Sequence, residues 1–304
     1  MSQFGRLCFN ISIGVALSRA GGVCMGWVRS RFALAVVAGL APGVALGADL
    51  PIPAPASPAP AAASSDWIVT LGTVVEEGPA WPGAPNRDLL FWGWPIIAIH
   101  KPGTLPYYWS GADAAGFPVL DLTQFKVGPA FRFVQERRAS SYAGLNGLDN
   151  VDWAFLAGGF AEYWAVPWLR LRGELLQGFN GETGLTGNIF LDAVIPAGPF
   201  RFGVGPRVTF QTAAAVSPYF NVTPAEAITS GLPTYSTSGG FYSWGVGGKV
   251  DYFINQQWAV YGFTEFARIS GSPANSPIVT MRGTPDQLTF GLGASYSFSM
   301  KPLW

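Results

Sequence analysis

From residue 66 onward the chain is built of long segments in which apolar residues alternate with small or polar ones. Between 287 and 298, Leu288, Phe290, Leu292, Ala294, Tyr296 and Phe298 share one parity, and Gln287, Thr289, Gly291, Gly293, Ser295 and Ser297 the other. Successive side chains of a strand point to opposite faces of the sheet, so one face suits hydrocarbon and the other suits water or a packed interior. The same period recurs at 242–254, where Tyr242, Trp244, Val246, Val250, Tyr252 and Ile254 oppose Ser243, Gly245, Gly247, Lys249 and Asp251. It recurs again at 125–133 and 168–175. After Asp66 no window approaches the roughly 18–20 consecutive apolar residues that a membrane helix needs. The chain is therefore an all-β candidate.

A soluble sandwich alternates too, and three further features separate it from a transmembrane barrel. Many candidate strands match the 9–11 residues of a tilted membrane strand, whereas soluble strands average about 5–6. Aromatic residues fall near strand ends, at Trp67, Trp153, Tyr163, Trp168, Tyr252 and Trp258, where interfacial girdles sit. Connection lengths alternate as well. Strands are expected at 66–76, 88–100, 104–111, 116–122, 124–137, 150–163, 166–177, 185–196, 199–212, 240–253, 257–269 and 286–298. Tight turns follow at Lys101-Pro102-Gly103, Thr123, Ala165, Ala197-Gly198 and Asn255-Gln256, and the longest loops at about 213–239 and 270–285. This reading is a transmembrane antiparallel up-and-down β-barrel of about twelve strands, or ten if the 104–122 pair is lost. Composition agrees: charged residues are only 12% of the chain and aromatics reach 14%, against about 25% charged in soluble domains. Eighteen basic residues against eighteen acidic ones leave no surplus to neutralise nucleic-acid phosphates.

The first 48 residues read as an address. Arg29 and Arg31 precede an apolar run from Phe32 to Leu40, and small residues offer cleavage after Gly47 or Ala48. This is the layout of a secretory signal, too short in its apolar part to span a bilayer stably. Met25 would give a signal of ordinary length, making residues 1–24 an over-extended start. Both cysteines, Cys8 and Cys24, lie there, so the exported chain carries no disulfide framework and no thiol metal site. Loss of Arg6, Arg19, Arg29 and Arg31 leaves 14 basic against 18 acidic residues. Residues 49–65, rich in Pro and Ala, read as an extended periplasmic linker, and 66–304 as the outer-membrane barrel.

Catalytic signatures are missing. His100 is the only histidine, no GxSxG elbow exists, and no serine nucleophile stands beside it in the pattern, so an interfacial role is favoured over an outer-membrane hydrolase. One histidine without cysteines makes no zinc site, and no cofactor motif occurs, since Gly245, Gly247 and Gly248 are not followed by a helix. Glu76-Glu77 are expected to open a solvated external loop. Charges of interior parity are the candidate lumen residues: Lys126, Arg132, Arg170, Arg172, Glu174, Arg201, Arg207, Lys249 and Asp251, with Glu162, Asp192 and Glu265 on the same side. They form either a selective pore with a basic wall or a mixed-sign network that fills a narrow barrel.

Residues 219–240, YFNVTPAEAITSGLPTYSTSGG, the stretch 275–283, NSPIVTMRG, and the terminal GLGASYSF resemble the MltA-interacting protein (MipA/OmpV) family. The matching positions are Tyr219, Phe220, Ala225, Ser230, Gly231, Leu232, Tyr235, Gly239, Gly240 and Ser276-Pro277-Ile278-Val279, together with a proline- and glycine-rich first loop at 78–83. Asn221 stands where the family usually has Gly, and Trp81 replaces a typical Tyr. The resemblance implies a Gram-negative outer-membrane barrel without known catalysis, inserted in outer-membrane lipid by the barrel assembly machinery. It further implies a scaffold linking a lytic transglycosylase to a penicillin-binding protein. The alternative reading is a small porin or uptake channel for a small, anionic solute. The family-like segments fall on outward loops, where Gly and Pro shape folded-in turns and 224–229 is expected to form a short helix capped at Thr223.

Overall fold

A computed structural model of the protein describes residues 67–100 and 108–301. The signal at 1–48, the linker at 49–65 and the turn at Lys101-Pro102-Gly103 lie outside the described residues.

The strands are β1 (Trp67–Pro79), β2 (Arg87–His100), β3 (Ala115–Gly116), β4 (Leu120–Asp121), β5 (Phe125–Val134), β6 (Ala154–Val166), β7 (Leu169–Asn180), β8 (Leu185–Ala197), β9 (Phe200–Gln211), β10 (Gly240–Phe253), β11 (Trp258–Ile269) and β12 (Asp286–Met300). All belong to one sheet, ordered β2-β1-β12-β11-β10-β9-β8-β7-β6-β5-β3, with β4 also on β5. Every described ladder is antiparallel. The sheet curls until β2 lies beside β3, forming an up-and-down transmembrane barrel. In hydrocarbon each unpaired backbone group costs several kcal/mol, which is why strands cross a membrane only in such a curled, mutually bonded wall.

The side chains follow the alternation. Leu171, Leu175, Ile189, Phe202, Val204, Val246, Val250 and Leu292 stand exposed on the outer face, the surface hydrocarbon covers. Trp153, Tyr163, Trp168, Tyr252 and Trp258 are exposed near strand ends, at girdle height. One residue departs from its expected parity. A bulge between Phe241 and Ser243 turns Tyr242 away from the lipid, and its ring lies 6.1 Å from Phe220 inside.

The expected pair at 104–122 is corrected. Residues 108–111 form no strand; 116–122 is broken into β3 and β4, both on β5, with Pro118 between them. Ten strands of 10 to 15 residues thus carry the wall, and 115–121 completes it as one interrupted strand. With every ladder antiparallel, β2 and β3 run in the same direction, and no ladder joins them among the described residues. The chain between them does something else: residues 108–114 turn into the lumen, where Tyr108, Ser110, Asp113 and Ala114 are buried.

Turns at one end are tight, spanning 122–124, 167–168, 198–199 and 254–257; at the other end 135–153, 212–239 and 270–285 are long. Short turns are periplasmic and long loops external in this architecture. The long loops carry α1 (Ala213–Phe220), α2 (Pro224–Ser230), α3 (Gly271–Ala274) and α4 (Pro277–Arg282).

Candidate functional site

The interior is charged and paired. Arg170, fully buried on β7, reaches Asp113 at 2.5 Å, Glu162 at 2.9 Å and Asp192 at 2.9 Å. Two residues on, at the next interior position of β7, Arg172 meets Glu174 at 2.8 Å and Glu162 at 3.5 Å. Arg207 lies between Asp192 at 2.7 Å and Glu265 at 3.4 Å. Asp251 is shared by Arg201 at 2.9 Å and Lys249 at 2.6 Å, and Lys126 lies 3.9 Å from Asp121. Arg132 donates to the Ala112 carbonyl at 2.6 Å and lies 3.6 Å from Glu174. All nine candidate lumen charges therefore face inward, and seven basic side chains meet seven acidic ones across the described ion pairs.

The sequence reading missed Asp113 and Tyr108, which it had placed in or beside a strand. Asp113 takes the Ser110 hydroxyl at 2.6 Å as well as Arg170, and the Ala114 N–H donates to Glu174 at 2.9 Å. The Tyr108 ring lies among Arg170, Arg201 and Lys249, at 5.2, 5.7 and 5.6 Å from their charged centres, within cation–π range. A Cβ on Gly203 would collide with that tyrosine, so glycine here admits the inward segment. Buried charges are tolerated only when paired and hydrogen-bonded, and residues 108–114 supply much of that pairing. His100 ends β2, opposite Ile68 of β1, on the side of the network that holds Lys126, Asp121 and Arg201. Glu76 and Glu77 do not open a loop: both remain in β1, Glu77 paired outside with Arg87 at 3.0 Å and Glu76 inside.

Above the network the external loops interlock as a cap. α2 starts at Thr223 with a complete capping box to Glu226 and Pro224 at its first turn, and ends on Gly231 at φ 72°. A left-handed residue at a helix C-terminus is where glycine carries no steric penalty. α4 is capped by Ser276, whose hydroxyl also donates to the Phe220 carbonyl at 2.6 Å. Tyr235 donates to the Ser272 carbonyl at 2.8 Å. Trp81, Leu145, Val222, Leu232 and Ile278 form one buried cluster, and Val216, Tyr219, Phe220, Ile269 and Val279 another. Gly240 takes φ 132° where the chain re-enters β10, just after Gly239. Arg137 donates to the carbonyls of Tyr219 at 2.9 Å and Asp149 at 3.2 Å. Burial pushes the Tyr219 hydroxyl pKa well up, with the Glu182 charge acting in the same direction.

The sequence profile of the MltA-interacting protein MipA family matches residues 71–298. The chain belongs to the MipA family. No curated protein matches it. Among solved structures it is similar to an outer-membrane channel from Pseudomonas putida F1, at 8% identity and a TM-score of 0.35 over 78% of this chain and 97% of that one. It is also similar to OmpT of Vibrio cholerae, at 9% identity and 0.33 over 77% and 97%. A third is the outer-membrane protease OmpT from Escherichia coli, at 11% and 0.30 over 77% and 95%. As a MipA-family barrel the protein resides in the Gram-negative outer membrane. Of the segments that carry the family resemblance, GLGASYSF lies in β12 and the other two make the cap: Tyr219, Phe220, Leu232, Ser276 and Pro277 are buried in it, and Ser230 and Tyr235 bond across it.

Proposed function

We propose that the protein is a non-enzymatic scaffold of the outer membrane. It gathers murein enzymes, a lytic transglycosylase and a penicillin-binding protein, at its periplasmic turns and through the 49–65 linker. The observation that carries this reading is the occupied lumen: Arg170 is fully buried among three carboxylates, and the 108–114 segment lies across the interior. A barrel filled in this way offers its partners surfaces rather than a channel. The family's name, which records interaction with MltA, supports the same partner class. Lipid on the apolar belt and the barrel assembly machinery complete its partners.

A small porin for an anionic solute is the competing reading, and the mutual pairing of the basic wall weighs against it. Affinity capture with the tagged full-length protein, extracted from outer membranes, tests the scaffold. Retention of a lytic transglycosylase together with a penicillin-binding protein is expected. Consistent failure across the organism's murein hydrolases and synthases overturns the reading.

A further inference from the structure

Between the cap and the ion-pair network lies a cavity of about 670 Å3, within the roughly 300–1,000 Å3 typical of small-molecule sites. Its ceiling includes Tyr219 and Tyr142 of the cap, and its floor Trp109 and Asp113 of the inward segment. Its side is unusual. Arg132 and Val134 of β5 point inward and Phe131 and Phe133 outward, yet the same cavity touches all four. A single void in contact with both faces of a strand must pass round its edge. β6 holds one edge of β5 along its whole length, and the β3 ladder on the other edge ends at the Ala115–Phe131 pair. Among the described residues the cavity therefore communicates sideways, toward the apolar surface, at the external half of the barrel.

Three residues lining this space carry a polar atom without a hydrogen-bond partner among the described residues: Glu76, Tyr219 and Arg137. Glu76 makes no hydrogen bond or ion pair there, standing outside the seven-against-seven balance of the lumen. The Tyr219 hydroxyl is buried with no hydrogen-bond partner. Asp113 is satisfied by Arg170 and Ser110, and Arg137 gives its two terminal nitrogens to loop carbonyls while its Nε has no hydrogen-bond partner. A half-buried carboxylate with no hydrogen-bond partner calls for a positive charge, an orphan hydroxyl for a hydrogen-bonding partner, and the aromatic rings suit both an apolar body and a cation over their faces.

We propose that this cavity binds a small lipophilic amine arriving from the membrane, its ammonium at Glu76 and its apolar body among Trp109, Phe131 and Phe133. The inference is independent of the scaffold reading, because it concerns the external half of the barrel and not the periplasmic turns.

The test uses the full chain in lipid nanodiscs, with empty nanodiscs subtracting membrane partition. 1-Naphthylmethylamine is titrated against the neutral 1-naphthylmethanol and the anionic 1-naphthoate. The amine should bind saturably and about tenfold more tightly than the alcohol, as one charge-assisted contact supplies. Glu76→Gln should bring the amine down to the affinity of the alcohol while leaving the alcohol unchanged, and Tyr219→Phe should weaken the amine by a smaller factor. Ala112→Trp, which fills the space, should remove saturable binding of both; the Glu76 and Tyr219 variants decide the matter if it does not fold. Equal binding of amine and alcohol, tighter binding of the naphthoate, an amine preference that survives Glu76→Gln, or no saturable binding at all overturns the proposal.

Discussion

Arg170 on β7 and Asp113, 57 positions earlier, meet at 2.5 Å in the closed interior of the barrel. The pair fastens a stretch that belongs to no strand to the middle of the wall. Because Glu162 and Asp192 bind the same guanidinium, its removal takes the central cation from three carboxylates at once, leaving Glu162 only to Arg172 and Asp192 only to Arg207. Arg170→Met is expected to destabilise the barrel by about 3–5 kcal/mol, the cost of breaking a buried pair from one side. Asp113→Asn should cost less, since the arginine keeps two anionic partners. Heat-modifiable gel mobility and urea unfolding in lipid measure both; an Arg170→Met barrel as stable as the parent would refute the account.

In planar bilayers the purified protein should show no steady conductance. Tyr108→Ala combined with Asp113→Ala removes both anchors of the inward segment and should produce channel events. Steady conductance by the unaltered protein would show that the lumen network leaves a path.

Arg282 donates to the carbonyls of Gly144, Asn146 and Ser230, tying three parts of the cap together. Arg282→Ala should raise the open fraction of the cap roughly tenfold, for a net loss of about 1.5 kcal/mol, typical of one hydrogen bond from a charged donor. Limited trypsin cleavage after Arg137 and Arg138 should accelerate accordingly, with the barrel still folded. Unchanged cleavage kinetics would mean that the cap holds without it.

Glu226 accepts from the N–H groups of Asp149 at 2.9 Å and Thr223 at 2.8 Å. Burial alone would raise its pKa, but these hydrogen bonds and the Arg137 charge outweigh burial and hold it below the ordinary 4.5. A group depressed in the folded state contributes stability that is complete above its unfolded value and is lost as pH falls through the folded one. The cap should therefore loosen on acidification below 4.5, read by hydrogen exchange at Asp149 and Thr223. Glu226→Gln should flatten that dependence.

The wall was legible because membrane strands obey a local rule: Leu288 to Phe298 and Trp244 to Ile254 declare their faces by parity alone. The interior positions of Arg170, Arg172, Arg207 and Asp251 followed from the same rule. The α2 helix was legible too, since Thr223, Pro224 and Glu226 form a capping signal within four residues. The inward segment was not, because Tyr108 and Trp109 look like strand aromatics and only the distant Arg170 explains Asp113. Tyr242 was misassigned for a similar reason, as a one-residue bulge cannot be seen in a periodic pattern. The cavity at Glu76 depends on where the β3 ladder stops, which no local spacing encodes.

The Thr70 and Ser297 hydroxyls lie 2.7 Å apart across the β1–β12 ladder, at a separation of 227 positions. Most other ladders join sequence neighbours and can zip one hairpin after another. This one cannot form until β12 has emerged from the export machinery. A premature stop before Asp286 would thus yield no smaller cylinder. It would leave an open sheet with bare hydrogen-bonding edges at β1 and β11, a substrate for periplasmic proteases and not for insertion.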